Sequence, residues 1–235
     1  MRWHVQVRSL AGDEAGYGTL FSERPHRIVQ DGDRWLLESE DFIGVEEPEK
    51  VFELASNLLV LISGLARVRY SLSPLAATVA FQVLSDGSPG RCVVPLEPIT
   101  FAFQAMPGRA VVGNVDVAAG ENKKRLEFAR SSDEVARVLE MLVEPSTWTS
   151  LYKIWEIVLR AADHQCSKVA KLGWADETLC TSFNRTANWY RTPGGRHAVP
   201  RGGRKPDQPM TLDSARRFVH NLVDAWLKAK LTNCA

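Results

Sequence analysis

Residues 48–67 read PEKVFELASNLLVLISGLAR, and this stretch decides the fold of the first half of the chain. Pro48 suits the first turn of a helix, and acidic residues cluster around it, as the helix dipole favours. Apolar residues then recur three or four positions apart, which is the spacing of one helix face. They are Val51, Leu54, Ala55, Leu58, Leu59, Ile62 and Leu65. The pattern predicts a helix to about Arg67 whose apolar stripe covers a sheet.

Strand-like segments lie on both sides of this helix. Trp3, Val5 and Val7 alternate with polar residues, which is the period of a half-buried strand. Two further runs flank Asp31-Gly32-Asp33, a good hairpin turn. Because the later turns are short, we expect antiparallel pairing, since parallel strands need long crossovers. The further predicted strands are 68–72, 78–84, 91–94, 99–103 and 110–117.

The composition changes near residues 118–124, AAGENKK, which we interpret as a linker or a long hairpin tip. Beyond them the apolar spacing is helical. The predicted helices cover about 131–145, 149–162, 175–190 and 211–230. We therefore expect an α+β protein of two domains. Residues 1–125 form an antiparallel sheet with a covering helix, and residues 126–235 form a helical bundle.

The composition is that of a globular protein with a real core. The chain has 235 residues, 45% of them hydrophobic, and a net charge of +1. The N-terminal residues MRWHVQVRSL contain no apolar run of signal-peptide length. The longest apolar window, residues 58–65, is too short to span a bilayer. We expect a cytoplasmic protein that does not enter a membrane.

No motif indicates a cofactor or a metal site. The chain lacks a glycine loop ending in Gly-Lys-Ser or Gly-Lys-Thr, and it lacks H-E-x-x-H and G-x-S-x-G. The acidic pairs Asp13-Glu14 and Asp31-x-Asp33 lie in glycine-rich turns, whose turn chemistry explains them. The four cysteines have neither C-x-x-C spacing nor a histidine at zinc-site spacing. The sequence predicts no cofactor, no metal and reduced thiols.

Positive charge is concentrated in residues 178–206, TLCTSFNRTANWYRTPGGRHAVPRGGRKP, which hold six Lys and Arg residues and no carboxylate. We call this stretch the basic segment. Its field suits an anion, and its aromatic side chains can stack on bases. The same aromatics equally suit a core or an interface. The residues expected to contact nucleic acid are Arg185, Asn188, Trp189, Tyr190, Arg201, Arg204 and Lys205.

His197 follows Arg196 directly and lies six residues after Arg191. Neighbouring positive charges lower the pKa of a histidine, so this imidazole should be neutral near pH 7. A neutral imidazole can remove the proton of a ribose 2′-hydroxyl while arginines stabilise the phosphorane charge. Arg191, Arg196 and His197 are therefore candidate catalytic residues for metal-independent RNA cleavage.

Several motifs between about residues 148 and 230 resemble those of an uncharacterised bacterial protein family. They are LYKIWEIV, GWA, SFNRTAN, GGRHA and PMTLDSARRFVHNLVDAWL. The region is also distantly similar to HEPN domains, which are helical bundles found in toxins and phage defence. Their signature is an arginine, four to six residues, then a histidine, which Arg191 and His197 match with five residues between them. The resemblance implies an endoribonuclease of a bacterial defence or toxin system, acting as a homodimer.

Two other interpretations remain open at this point. Residues 31–53 hold nine acids against Arg34 and Lys50, so the chain can also be a non-catalytic interaction module. In that case the acidic region and the basic segment contact partner proteins. Alternatively, the basic segment is structural, and Arg196 pairs with Glu156 or Asp163 on a neighbouring helix.

Overall fold

Strands and helices are segregated along the chain, which makes it an α+β protein, as the sequence predicts. The chain divides into two compact units, Met1–Val143 and Glu144–Ala235. The expected boundary at residue 125 differs from this division by 18 residues. The computed structural model describes residues 2–86, 88–94, 115–189, 191–195, 206 and 208–233.

The first unit contains an antiparallel sheet of five strands. They are β1 (Arg2–Ser9), β2 (His26–Asp31), β3 (Arg34–Ser39), β4 (Leu75–Val83) and β5 (Pro89–Val93). Their order in the sheet is β2-β3-β1-β4-β5. Trp3, Val5 and Val7 on β1 are buried, which confirms the predicted alternation. The hairpin between β2 and β3 turns at Gly32, whose φ of 58° is a conformation that glycine adopts readily.

Four helices accompany this sheet in the described part of the first unit, with one short 3-10 helix. The helices are α1 (Glu14–Leu20), α2 (Pro48–Tyr70), α3 (Val115–Ser131) and α4 (Asp133–Val143), and the 3-10 helix is Glu40–Phe42. α2 packs on β1 and β4 and also on α3 and α4. By length and composition α2 resembles a membrane span, but 61% of its apolar window is buried in the protein. Such burial is typical of the core helix of a soluble protein.

The packing of α3 and α4 on α2 places the unit boundary after Val143. Arg67 is buried near the end of α2, and its guanidinium donates a hydrogen bond to the carbonyl oxygen of Val143 at 3.1 Å. α2 and α4 approach closely at Gly64, where an added Cβ would lie 2.7 Å from the Cβ of Leu139. Because α3 and α4 complete the core around α2, they belong with the sheet.

Four sequence predictions in this unit are wrong. Residues 68–72 are not a strand, because α2 continues to Tyr70 and ends at Ser71, whose φ is 55°. Residues 118–124 are not a linker, because they lie inside α3. Leu54 of the predicted buried stripe is only half-buried, unlike Leu58 and Ile62. Residues 115–117, the end of the predicted strand 110–117, are not a strand, because α3 begins at Val115. The predicted strand 99–103 and residues 110–114 lie outside the described residues.

The second unit is helical. Its described helices are α5 (Trp148–Arg160), α6 (Cys166–Lys171), α7 (Glu177–Asn188) and α8 (Leu212–Asn233). Thr147 caps α5 by accepting a hydrogen bond from the backbone N–H of Ser150 at 3.0 Å. α5 packs on α7 and α8. An aromatic cluster fills the space between them: Trp148, Tyr152, Trp155, Phe183 and Phe218.

A disulfide joins Cys166 of α6 to Cys180 of α7, with 5.7 Å between their Cα atoms. The expectation of ordinary reduced thiols is therefore wrong for this pair. The two residues are 14 positions apart, which is no recognised spacing, and only the packing of α6 on α7 brings them together. Cys92 is free and exposed in the first unit.

Candidate functional site

α7 is the element that positions the described part of the basic segment. Asp176 caps the helix by accepting hydrogen bonds from the backbone N–H groups of Thr178 at 2.8 Å and Leu179 at 3.1 Å. One face of α7 is buried in the bundle through Cys180, Phe183, Thr186 and Ala187. The other face therefore presents its hydroxyl and guanidinium groups outward.

A groove of about 530 Å³ runs along this outward face, and we call it the α7 groove. Its described lining consists of Glu177, Thr178, Thr181, Ser182, Arg185, Pro206 and Gln208. Arg185 is exposed at one end of the groove. Glu177 lies eight residues earlier, which is about 12 Å along the helix axis. The groove thus has a cationic end, an anionic end and a row of hydroxyl groups between them.

Thr186, which is fully buried, anchors the chain on both sides of residues 193–209. The hydroxyl of Thr192 donates to the carbonyl oxygen of Thr186 at 2.6 Å. The backbone N–H of Met210 donates to the hydroxyl oxygen of Thr186 at 3.2 Å. Nearby, the hydroxyl of Ser182 donates to the carbonyl oxygen of Gln208 at 3.3 Å. The chain therefore leaves α7 and returns to it on the same helical turn, beside the α7 groove.

Arg191 is exposed in the turn that follows α7. The backbone N–H of Thr192 donates to the carbonyl oxygen of Trp189 at 3.0 Å, and that of Gly195 donates to Thr192 at 2.7 Å. Gly194 has a φ of 68°, and a Cβ on Gly195 would lie 2.8 Å from the carbonyl oxygen of Thr192. Both glycines are needed for this turn, so Arg191 is held outside the helix.

Asn188 and Trp189 stand at the end of α7. The amide nitrogen of Asn188 donates to the side-chain oxygen of Asn184 at 2.7 Å and to the hydroxyl of Tyr152 at 3.2 Å. These bonds brace α7 against α5. Trp189 is half-buried, and its backbone N–H donates to the carbonyl oxygen of Thr186 at 3.2 Å.

Arg185 and Asn188 thus lie in the last turn of α7, and Trp189 and Arg191 follow that turn in the chain. The remaining candidate residues lie outside the described residues, and their roles stay predictions. They are Tyr190, Arg196, His197, Arg201, Arg204 and Lys205.

A second polar cluster, which the sequence did not reveal, lies in the first unit around the buried His26. Nδ1 of His26 lies 2.8 Å from the hydroxyl of Ser39, and Nε2 contacts the guanidinium of Arg130. Arg130 also donates to the carboxylate of Asp41 at 2.6 Å. Because a guanidinium can only donate, Nε2 must accept, and we assign the proton to Nδ1. Burial and, secondly, the charge of Arg130 lower the pKa of His26 and keep the ring neutral.

The contacts of this cluster join separate elements of the first unit. The hydroxyl oxygen of Ser39 also accepts a hydrogen bond from the backbone N–H of Asp41 at 3.1 Å. The serine, the histidine and the arginine together fasten α3 to the end of β3 and the 3-10 helix. No sequence motif marks the cluster, because its members lie up to 104 positions apart.

Four of the nine acids in residues 31–53 are paired within the first unit. Their ion pairs are Asp31–Arg34 at 3.1 Å, Glu38–Arg27 at 2.7 Å, Asp41–Arg130 at 2.6 Å and Glu53–Lys50 at 2.9 Å. The acidic pair Asp13-Glu14 accepts backbone N–H bonds, from Ser73 at 2.8 Å and from Ser9 at 2.7 Å. Much of the acidic charge near the N-terminus is therefore engaged in ion pairs and hydrogen bonds within the first unit.

Within the described ranges, no group of three or more His, Cys, Asp or Glu side chains is placed to hold a metal ion. No family model, curated protein or solved structure matches this chain.

Proposed function

We propose that the protein binds single-stranded RNA through the α7 groove and the basic segment. The observation that carries this proposal is the anchoring of Thr192 and Met210 on Thr186, beside the groove that Arg185 lines. In the sequence, four cations of the basic segment lie between these two anchors.

The α7 groove offers the donors that a ribose-phosphate chain requires. Arg185 supplies a planar guanidinium that can bind a phosphate through two hydrogen bonds. Thr178, Thr181 and Ser182 supply hydroxyl groups, which can bind phosphate or ribose oxygens. Glu177 repels phosphate, so we expect the phosphates to lie toward the Arg185 end of the groove.

The charge distribution supports this function over the alternative of a protein-interaction module. That alternative requires an acidic surface near the N-terminus, but four of the nine acids there are already paired with cations of the same unit. The basic segment contains six cations and no carboxylate over residues 178–206. A surface with this charge attracts RNA, and the attraction should weaken as salt increases.

Binding by Arg185 is tested by fluorescence anisotropy with a labelled single-stranded RNA at low salt. Arg185→Gln removes the charge at the cationic end of the groove and should weaken binding by roughly 3- to 10-fold for all sequences alike. Arg217→Gln is the matched control, because Arg217 is an exposed arginine on α8 whose side chain is 70% accessible. Equal losses in the two variants, or no loss in Arg185→Gln, would remove the groove from the proposed site.

RNA cleavage is the catalytic extension of this proposal, and it rests on the sequence pattern and the resemblance to HEPN domains. His197 would act as the general base, and Arg191 or Arg196 would stabilise the phosphorane. This mechanism uses no metal, so activity should survive EDTA and yield a 2′,3′-cyclic phosphate. His197→Ala should lower the rate by roughly 10²- to 10⁴-fold. A variant that cleaves normally would assign His197 a structural role.

A homodimer, a cytoplasmic location and a place in bacterial defence belong to the same proposal. The buried position of α2 supports a soluble protein. Dimerisation would bring two copies of the basic segment together, and light scattering with size-exclusion chromatography measures it directly.

A further inference from the structure

We propose that the Cys166–Cys180 disulfide is a redox switch that fixes α7, so that reducing it lowers the affinity of the α7 groove for single-stranded RNA. The expected loss of RNA affinity rests on the proposed function, whereas the expected loosening of α6 and α7 does not. Disulfides in cytoplasmic proteins are usually transient, and they serve catalysis or redox sensing. A cytoplasmic location would therefore make this bond a reversible one.

The disulfide joins α6, a short helix with little buried surface, to α7, the helix that forms the α7 groove. α6 has six residues, far fewer than an isolated helix needs to be stable in water. Val169 is its one fully buried hydrophobic residue. The disulfide is thus a major link between α6 and α7. Reduction should loosen α6 first.

Loosening α6 should reach the α7 groove through Cys180. This residue is fully buried on the inner face of α7, and the groove residues Thr178 and Thr181 flank it in sequence. When α6 moves away, the inner face of the first turns of α7 loses its cover. The outward hydroxyl groups of the same turns then lose their fixed positions. Binding that depends on a preformed row of donors should weaken as a result.

The reduction balances with two molecules of a small thiol such as reduced glutathione. Cys166 is half-buried, whereas Cys180 is fully buried. The glutathione thiolate should therefore attack Sγ of Cys166, which is the more accessible sulfur. The disulfide breaks, Cys180 leaves as a thiolate and takes a proton from water, and Cys166 carries a mixed disulfide. A second thiol attacks the glutathione sulfur and releases the Cys166 thiol with oxidised glutathione. Oxidised glutathione drives the reverse reaction, in which the Cys166–Cys180 bond forms again.

The test compares the oxidised and reduced forms of a Cys92→Ser/Cys234→Ser protein, whose two remaining thiols are Cys166 and Cys180. Oxidised and reduced glutathione set the two states, and intact mass confirms the gain of two hydrogens on reduction. Hydrogen exchange by mass spectrometry then follows residues 166–188. The inference predicts that reduction speeds exchange in α6 and the first turns of α7 by roughly tenfold or more. It also predicts a loss of RNA affinity of roughly threefold or more.

Cys166→Ser in the same background is the control that cannot form the bond. It should exchange like the reduced protein under both conditions. The inference is overturned if the bond does not form, if exchange is equal in the two states, or if exchange changes while RNA affinity does not. Absence of RNA binding in both states would contradict the proposed function, and the exchange data would still decide whether the bond fixes α7.

Discussion

At the scale of single residues, buried polar side chains join parts of the chain that are far apart in sequence. Thr186 uses its carbonyl and its hydroxyl to hold Thr192 and Met210. His26 joins Ser39 to Arg130 in the first unit. Thr186 and His26 are both buried, so losing a partner of either costs more than losing a surface hydrogen bond.

The pH dependence of stability should report on His26. Its pKa is lowered in the folded protein, whereas the unfolded chain has the ordinary value of about 6.5. Below that value the unfolded chain binds a proton that the folded chain refuses, so stability should fall from pH 7 to pH 5. The pKa of His4 is also lowered, first by burial, and it contributes in the same direction.

His26→Gln keeps a donor for the hydroxyl of Ser39 but removes the titrating ring. We expect the difference in urea midpoint between pH 7 and pH 5 to shrink in this variant, whatever its stability at pH 7. The remaining difference reflects His4 and the carboxylates. If the difference between the two pH values stays as large as in the wild type, His26 is not the group responsible.

At the scale of elements, the sequence predicted the long and strongly periodic segments and missed those whose pattern is interrupted. α2 and the strands β1 to β4 follow their periodicity closely. α1 was missed because Gly16 and Gly18 suggest a turn. In the structure these glycines provide room, since a Cβ on Gly18 would lie 2.4 Å from the ring of Trp35. α3 was missed because Asn122 and Arg125 occupy buried positions that usually hold apolar residues.

The close approach of α2 and α4 gives a prediction that opposes helix propensity. Gly64→Ala improves the propensity of α2 by up to about 1 kcal/mol. However, the new Cβ would lie 2.8 Å from the backbone oxygen of Leu139. The clash should outweigh the gain and lower the free energy of unfolding by about 1–3 kcal/mol. Urea unfolding measures the change.

Gly120→Ala is the matched control inside α3. A Cβ there would meet its nearest neighbour, the carboxylate of Glu23, at an ordinary 3.6 Å. This substitution should be neutral or stabilising by up to about 1 kcal/mol. A stabilising Gly64→Ala would mean that α2 and α4 are farther apart than described.

At the scale of the whole molecule, the sequence predicted which segment carries the positive charge of the candidate site. It did not predict the contacts that attach this segment to α7. The cations of the basic segment are visible in the sequence, and Arg185 lines a groove as a ligand-binding residue would. The joint anchoring of Thr192 and Met210 was not foreseeable, because it depends on the carbonyl and hydroxyl oxygens of a buried residue on another element. The Cys166–Cys180 bond was missed for the same reason, since tertiary packing alone brings the two residues together.

RNA binding by the basic segment is the central claim, and three of its cations can be replaced without changing a residue of the described helices. The variant Arg201→Ala/Arg204→Ala/Lys205→Ala removes three cations. A control of equal charge replaces three exposed cations of the first unit with alanine: Lys50, Lys124 and Arg137. The control should bind RNA nearly as the wild type does.

The most direct test measures the affinity for single-stranded RNA over a range of salt concentrations. Each lost phosphate contact should reduce the slope of log K against log salt by about 0.7, so the segment variant should lose about 2 units of slope. Its affinity should fall for all RNA sequences alike, while the control keeps both affinity and slope. A segment variant with the affinity and slope of the wild type would contradict the proposal that this segment binds RNA.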